Sequence, residues 1–527
     1  ISAVPERLFP EVVAIFEVWQ NALAQVPNAT SRALLQHCAA WLASNPPDDS
    51  SAYTKKGSGL AAVRSSVAQL LLRSAKAEPS LAAAYLQRIT ALEKIPSDVF
   101  HDAIAYTPLL PQSLARPMGD LTLKFLREEL PNEQVAREEQ ELRRATEWRK
   151  EVEAKPKAKR TRQEKMALSG GLFLRSVGDF SDHDWSTLSI HDDHRCFWPP
   201  SPLREPFRSL FRSAPEEALR LLRALCNHAM TAWRQLHHYS NGRGSTPGTP
   251  IPVELRFPWG TRTFWGTDRE YMWFRSTWAP NAIGSGFMAL EEWCFSELDR
   301  GRAVDELIQQ VTDGNECIAI LGVAAVLALH SGSVSEATLA LITSQRLLTA
   351  DHYRLRQDFQ SAANLIGFSL PKDTLHFEAV QAANARPVRR AQLRQLVPGF
   401  VLAEEPIGEA ARAALLAFKD DLPYQYEEER EVPQTREDLA ALALEYSELA
   451  DPRSYRARRT EDDSDQIAIT PVSPSAAGPD NAARVEETTQ RLREMRLWSW
   501  ARSTLEESTL GVAHTVETAV AVARELI

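Results

Sequence analysis

Apolar residues recur at helical spacing along most of the chain, and prolines and glycines interrupt the pattern. In the first 130 residues this spacing predicts short helices in pairs, separated by tight turns such as Asn45-Pro-Pro-Asp48. Paired helices with short joints are typical of helical-hairpin stacks of the solenoid kind. The sequence shows no regular repeat period, so the solenoid-like arrangement is predicted from helix order alone.

A different pattern, alternation of apolar and polar residues, occurs near 253–266. Val253, Leu255 and Phe257 alternate with polar neighbours and are followed by Pro258-Trp-Gly260, which predicts a small β-hairpin. Farther on, the 13 residues Cys317–Leu329 form an apolar run. A membrane span needs roughly 20 residues, so this run predicts a buried core helix, and no membrane partner is expected. The predicted fold class is therefore mainly α, a solenoid-like array of helical hairpins with one β-hairpin.

Changes in composition along the chain predict six segments. A charged helix ending before Pro156 and a basic stretch follow the first helices, and an Arg-, Asp-, Ser-, Pro- and Gly-rich stretch precedes the last helices. The segments are an N-terminal helical array at 1–130, a charged helix and basic linker at 131–169, a central helical domain with the aromatic hairpin at 170–370, a helical and acidic segment at 371–451, a disordered linker at 452–481 and C-terminal helices at 482–527.

The overall charge narrows the choice of partners. The 527 residues carry a net charge of −10, which argues against binding to nucleic acid or to a membrane surface. The basic run Lys155–Lys165 has no interleaved aromatic residues, so it is interpreted as a charged linker, with contact to nucleic acid or an acidic partner as the alternative. Five scattered cysteines without a CxxC pair favour a reducing, cytoplasmic location. Because the chain begins with Ile and shows no signal peptide, we expect it to be part of a longer polypeptide.

The first candidate for chemistry is a cluster of polar residues between His183 and Cys196. His183, Asp184, His191 and His194 are ligand types that divalent transition metals accept, and the spacing His191-x-x-His194 would place two imidazoles on one helical turn. A metal-dependent hydrolase using this cluster is the alternative function. The competing interpretation is a structural loop, because Asp-rich segments often form turns and helix caps.

Other catalytic motifs are missing from the sequence. There is no GxxxxGK[ST] phosphate-binding loop and no GxSxG nucleophile motif. The Gly-Ser turns at 57–59 and 284–286 are interpreted as helix starts, and Cys294 and Cys317 as core residues. The sequence therefore predicts no catalytic residue and no cofactor within this chain.

Aromatic residues are dense around the predicted hairpin. Tryptophan and tyrosine are the residue types that anchor protein interfaces, so these residues are candidates for a groove that binds a protein or peptide. The alternative is that they close the end of the helical stack. The candidate residues are Trp259, Trp265, Tyr271, Trp273 and Trp278.

Residues 251–330 also resemble a known family. The motifs are Arg256-Phe-Pro-Trp-Gly260, Phe264-Trp-Gly266, Tyr271-Met-Trp-Phe-Arg275, Pro280-Asn-Ala282, Met288-Ala-Leu-Glu-Glu-Trp293, Asp313-Gly-Asn315, Ile320-Leu-Gly-Val-Ala324 and Leu327-Ala-Leu329. This stretch resembles the helical region of very large bacterial ATP-binding proteins of the antiphage-defence type. The resemblance implies a non-catalytic helical arm or sensor of a larger multidomain ATPase. ATP and Mg²⁺ would bind in an upstream part, and the partner would be another protein or that ATPase part.

Overall fold

The computed structural model describes residues 29–47, 59–169, 177–178, 180, 185–239, 248–360, 363–459 and 467–471, with the single positions 15, 520 and 524. The chain is mainly helical, as predicted, and it includes a small two-stranded antiparallel sheet. Among the described residues no single helix is long and apolar enough to cross a membrane, and only Ala319–Ser331 taken together with Glu336–Ile342 reaches the required length and composition.

Proline and glycine begin or end many of the helices, as the sequence indicates. In chain order the α-helices are α1 Ala29–Ser44, α2 Gly59–Arg73, α3 Pro79–Thr90, α4 Ser97–Ala105, α5 Ala115–Leu126, α6 Pro131–Ala154, α7 Arg162–Ser169, α8 His194–Phe197, α9 Phe207–Ser213, α10 Pro215–Tyr239, α11 Asp268–Tyr271, α12 Asn281–Asp299, α13 Val304–Thr312, α14 Ala319–Ser331, α15 Glu336–Ile342, α16 Gln345–Gln360, α17 Thr374–Asn384, α18 Val397–Val401, α19 Ile407–Ala417 and α20 Pro433–Glu448.

The remaining regular elements are short. The strands are β1 Val253–Phe257, β2 Gly260–Phe264, β3 Tyr455–Arg459 and β4 Ile467–Pro471. The 3₁₀ turns are Thr107–Leu109, Gln112–Leu114, Lys157–Lys159, Met272–Arg275, Ala363–Leu365, Pro387–Arg390, Leu393–Leu396, Glu427–Glu431 and Pro452–Ser454.

The chain folds into two compact units. The first contains the described residues of Ile1–Ser333, Ala363–Arg389 and Tyr424–Glu431, and the second contains those of Val334–Ala362, Arg390–Pro423 and Val432–Ile527. The first unit therefore holds the predicted N-terminal helices, the charged helix and most of the predicted central domain. Of the predicted C-terminal helices at 482–527, all but positions 520 and 524 lie outside the described residues.

In the first unit, consecutive helices pack on one another. Helix α1 contacts α2 and α3, α2 contacts α4, and α3 contacts α5, which in turn packs on α10. The amphipathic α10 begins at Pro215 with Glu216 and Glu217 in its first turn, the placement that the positive end of a helix favours. These contacts agree with the predicted helical class, and the solenoid-like arrangement stays a prediction.

The predicted hairpin packs against the predicted core helix. β1 and β2 pair in antiparallel register from Val253–Phe264 to Phe257–Gly260, as a hairpin near 253–266 requires. Val253, Leu255 and Phe257 are buried and their neighbours Glu254 and Arg256 are exposed. The Trp265 carbonyl accepts a 2.9 Å hydrogen bond from the Ile318 amide just before α14.

Helix α14 is enclosed by other residues of the first unit. Residues 319–328 are all buried, which confirms the predicted core helix. Gly322 allows a close approach at its centre, since a Cβ atom there would lie 2.2 Å from the Phe274 ring. Cys317 and Cys294 are buried, as predicted, and all five cysteines are thiols.

The predicted charged helix is present, and part of the predicted linker lies in strands. Helix α6 ends at Ala154 and carries exposed ion pairs such as Arg137 with Glu129 and Glu141, as its composition predicted. Within the predicted linker 452–481, the described residues include β3 and β4 of the second unit, which form an antiparallel hairpin.

Candidate functional site

The polar residues 185–198, which we call the polar segment, lie between α7 and α9 in the first unit. The segment is held by backbone hydrogen bonds to the end of α5: the His191 amide donates to the Leu126 carbonyl at 2.7 Å, and the Glu128 amide donates to the Ser189 carbonyl at 2.8 Å. Helix α8 then begins within the segment. The Asp193 carboxylate caps it by accepting a 3.0 Å hydrogen bond from the Cys196 amide. The local backbone therefore sets the direction of each polar side chain.

The four predicted metal ligands do not form one group among the described residues. His183 and Asp184 lie outside those residues. The expectation of two imidazoles on one helical turn is wrong, because α8 begins at His194 and His191 lies before it, outside the helix. His191 pairs with Glu128 at 3.1 Å, and His194 pairs with Asp192 at 2.8 Å, so the two rings have separate partners.

A different set of ligand-type residues does come together. His101 on α4, Asp193 and Cys196 place their potential ligand atoms within 4.8 Å of one another. His101 Nε2 lies 2.7 Å from Asp193 Oδ2, and both side chains are largely buried. Sequence reasoning missed His101 because it is 92 residues away from Asp193 on an amphipathic helix, where no local spacing marks it.

The Cys196 thiol is unsuited to nucleophilic catalysis. Burial, followed by the nearby Asp193 charge, raises the pKa of Cys196 to about 12. A nucleophilic cysteine needs a lowered pKa, because the thiolate is the reactive form. The cluster therefore does not support a cysteine-dependent hydrolase.

The outer side of the polar segment forms one wall of a cavity of about 290 Å³, which we call the two-tryptophan cavity. Trp198 and Trp278 line it, and each is 40% exposed although tryptophan is usually well buried. The opposite wall is the turn that leads into α12. The lining residues are Ser186, Thr187, Ile190, Asp192, His194, Trp198, Ser276, Trp278, Ala279, Pro280 and Asn281.

Both walls contain backbone in the left-handed region. In the described part of the chain, four non-glycine residues have positive φ angles: Leu188 at 48°, Ser189 at 58°, Ser276 at 57° and Trp278 at 59°. Two of them line the cavity, and the other two lie between the lining residues Thr187 and Ile190. Such conformations cost free energy in residues with a Cβ atom, and they concentrate at functional sites.

Contacts beneath the cavity hold its walls in place. Asn281 Nδ2 donates to Asp192 Oδ1 at 2.6 Å and so links the two walls. The Ser276 turn packs tightly on α12, because a Cβ atom added to Gly284 would lie 2.9 Å from Ser276 Cβ. The Ser276 Oγ atom is buried and has no hydrogen-bond partner within the described residues.

The lining also sets the charge that the cavity prefers. Asp192 is the one carboxylate among the lining residues, and no Lys or Arg side chain lines the cavity. Outside the lining, the Arg269 guanidinium lies 6.0 Å from the centre of the Trp278 ring. A neutral or cationic group suits such a cavity, whereas a phosphate group would find no charged partner.

The five aromatic candidates do not share one groove. Tyr271 and Trp273 are buried with at most 1% exposure, so the prediction that they contact a partner is wrong. Both pack in the core beside α12 and α14. There the free energy gained by burying the apolar ring surface exceeds the cost of removing the Tyr O–H and the Trp N–H from water. Trp259 is half-buried and stacks on Phe257 at 4.9 Å.

Trp265 belongs to a separate surface. The Arg234 guanidinium lies 4.1 Å from the centre of its ring, and both residues line a cavity of about 200 Å³ with His237, His238, Thr249 and Pro250. Burial lowers the pKa of His237, so this cavity does not gain a charge from it at neutral pH. Of the five predicted aromatic residues, Trp278 alone lines the two-tryptophan cavity.

A third cavity, of about 760 Å³, lies on the α5 side of the polar segment, and it contains His191 and His228. Two of the acidic residues in its lining are paired with arginines: Asp120 binds Arg220 at 2.7 Å and Glu129 binds Arg137 at 2.9 Å.

Comparison with known proteins adds no assignment. No protein-family model matches the chain, and no curated protein matches its sequence.

Proposed function

We propose that this chain is a non-catalytic helical interaction module that binds a protein partner through the two-tryptophan cavity. The observation that supports this most directly is the meeting of two exposed tryptophans at one cavity whose walls contain the left-handed non-glycine residues. Tryptophans in pockets are the residues that most often dominate the free energy of protein association.

The size and charge of the cavity favour a protein side chain over a cofactor. Its volume of about 290 Å³ is at the lower limit of the range of roughly 300–1,000 Å³ that small-molecule sites occupy. Its two indole rings would accept an apolar or basic side chain of the partner. The lining has no Lys or Arg to pair with a phosphate group, and we therefore favour a protein over a nucleotide or a nucleic acid as the partner.

The resemblance of residues 251–330 suggests the identity of the partner. If the chain is the arm of a large bacterial ATP-binding protein, the partner would be the ATPase part of that system, in the cytoplasm and in the context of phage defence. ATP and Mg²⁺ would then bind to the partner. This extension rests on the resemblance, and the interaction itself rests on the cavity.

The alternative, a metal-dependent hydrolase built on His183, Asp184, His191 and His194, has less support. The two described histidines are committed to separate carboxylates. We therefore propose the interaction module as the function that the geometry supports best.

A capture experiment with matched variants tests the proposal. A photo-reactive group placed at position 277, which is half-buried and lies between the lining residues Ser276 and Trp278, should cross-link one defined partner in lysate of the source cells. The double variant Trp198→Ala, Trp278→Ala should lose that partner. Trp148→Ala is the control, because Trp148 is 44% exposed on the charged helix α6, away from the cavity lining.

The outcomes are distinct. Loss of the same partner in the double variant but not in the control supports the proposal. Equal capture by all three proteins contradicts it. If the partner hydrolyses ATP, the wild-type chain should change its rate and the double variant should not.

A further inference from the structure

We propose that His101, Asp193 and Cys196 form a binding site for a divalent transition metal of the zinc type, which fixes the polar segment to α4. The proposal is independent of the interaction function, because it concerns the inner side of the polar segment. It uses one residue that no local sequence pattern marks.

The donor set has the chemistry of such a site. One imidazole nitrogen, one carboxylate oxygen and one thiolate sulfur are the three ligand types that zinc accepts. Cys196 would bind as the thiolate, and its proton would be released to solvent when the metal binds. Their mutual separations of at most 4.8 Å compare with roughly 3.4 Å between ligands in a tetrahedral site with bonds of about 2.0–2.3 Å. Side-chain rotations that change these separations by at most about 1.4 Å would therefore be enough. Three protein ligands leave a fourth position for water.

His101 presents Nε2 to the cluster, because this atom faces Asp193 Oδ2. We therefore assign Nε2 as the ligand atom, and the metal would take the place of the proton that now lies between the imidazole and the carboxylate. The buried Nδ1, which has no hydrogen-bond partner among the described residues, would then carry the ring proton.

The backbone already holds two of the ligands close together. Asp193 Oδ1 accepts a hydrogen bond from the Cys196 amide at the start of α8. This bond keeps the Asp193 carboxylate close to Cys196. The other oxygen, Oδ2, stays directed at His101. Only His101 must then be supplied by another element, α4.

A bound metal would stabilise the wall of the two-tryptophan cavity. Asp192 and His194, which line that cavity, are the neighbours of Asp193 in the chain. Cross-linking Asp193 and Cys196 to α4 would restrict the movement of both neighbours. The metal would therefore act as a structural clamp, and we assign it no reaction.

Metal titration of the full chain tests the site. After treatment with a chelator, the protein should bind one equivalent of Zn²⁺ in competition with a chromogenic chelator. Co²⁺ should give the near-ultraviolet charge-transfer band of a thiolate ligand. His101→Ala and Cys196→Ser should each weaken Zn²⁺ binding by roughly 100-fold, at or above the effect of losing an outer-shell partner, and Cys196→Ser should abolish the charge-transfer band.

Controls separate the site from its neighbours and from misfolding. His191→Ala and His194→Ala should keep the affinity, because these rings have other partners. Asp193→Asn should lose the metal and keep the fold, since asparagine also caps helices. No stoichiometric Zn²⁺ would overturn the proposal. So would full affinity in folded Asp193→Asn, or loss of the metal in the His191 or His194 variant.

Discussion

The buried charge of Glu291 allows the energetics of the first unit to be tested. Glu291 lies on α12, the helix that begins at the two-tryptophan cavity, and it is 2% exposed. Its Oε1 accepts a 3.2 Å hydrogen bond from Arg386 and a short one from Arg389. We predict that Glu291→Gln, which removes the charge and keeps the shape, destabilises this unit strongly.

The expected loss of unfolding free energy in Glu291→Gln depends on how well Arg386 and Arg389 remain paired. Removing one partner of a buried ion pair costs about 3–5 kcal/mol, because the other charge stays buried without compensation. Arg386 keeps its surface partner Glu292, and Arg389 keeps its bond to the Ala383 carbonyl, which places the cost near the lower limit. A loss of about 3 kcal/mol corresponds to an increase of roughly 150-fold in the unfolding equilibrium constant.

Glu292→Gln is a matched control. Glu292 is the next residue of the same helix and also pairs with Arg386, but its side chain is 60% exposed. Exposed pairs contribute about 0–1 kcal/mol, so this variant should stay within that range of the wild type. Urea unfolding followed by tryptophan fluorescence measures both, because every described tryptophan belongs to the first unit. Similar stabilities for the two variants would refute the reasoning.

Acidification gives the same prediction a second test. Burial alone would raise the pKa of Glu291, but Arg389, Arg275 and Arg386 together hold it below the ordinary value. A carboxyl with a lowered folded-state pKa stabilises the protein above its unfolded-state pKa, about 4.3, and this contribution disappears as the pH falls further. The advantage of the wild type over Glu291→Gln should therefore be full at neutral pH and shrink below about pH 4.3. A constant advantage across this range would contradict the assignment.

Two further predictions concern packing and pH in the same unit. Gly322→Ala should destabilise it by up to about 2 kcal/mol in urea, because overpacking against the buried Phe274 ring costs about 1–3 kcal/mol and the gain in helix propensity returns about 1 kcal/mol. A more stable variant would contradict this. Burial lowers the pKa of His237, so its neutral form contributes stability above about pH 6.5 that is lost as the pH falls below that value, and His237→Gln should show a smaller loss between pH 7 and pH 5.5 than the wild type.

The sequence predicted those elements whose signal is local. The alternation at Val253, Leu255 and Phe257, the apolar run before Leu329 and the ion pairs of α6 each lie within one element, and each is present in the fold. Helix class and the small hairpin follow from such periodic patterns.

The candidate site depended on contacts between distant parts of the chain. Trp278 was identified as a candidate from its residue type, but its neighbour across the cavity, Trp198, was not, because the two are 80 positions apart. Tyr271 and Trp273 are aromatic like the exposed Trp198 and Trp278, yet tertiary packing buries them. His101 could be joined to Asp193 only by the packing of α4 near the polar segment.

The affinity of the captured partner for variants of the two-tryptophan cavity tests the central claim most directly. If Trp198 and Trp278 are the anchors, each alanine substitution should raise the dissociation constant by about 30-fold or more, as expected for a loss of at least 2 kcal/mol at a dominant interface residue. Trp148→Ala should leave it unchanged. Dissociation constants within threefold of the wild type for both cavity variants would contradict the account.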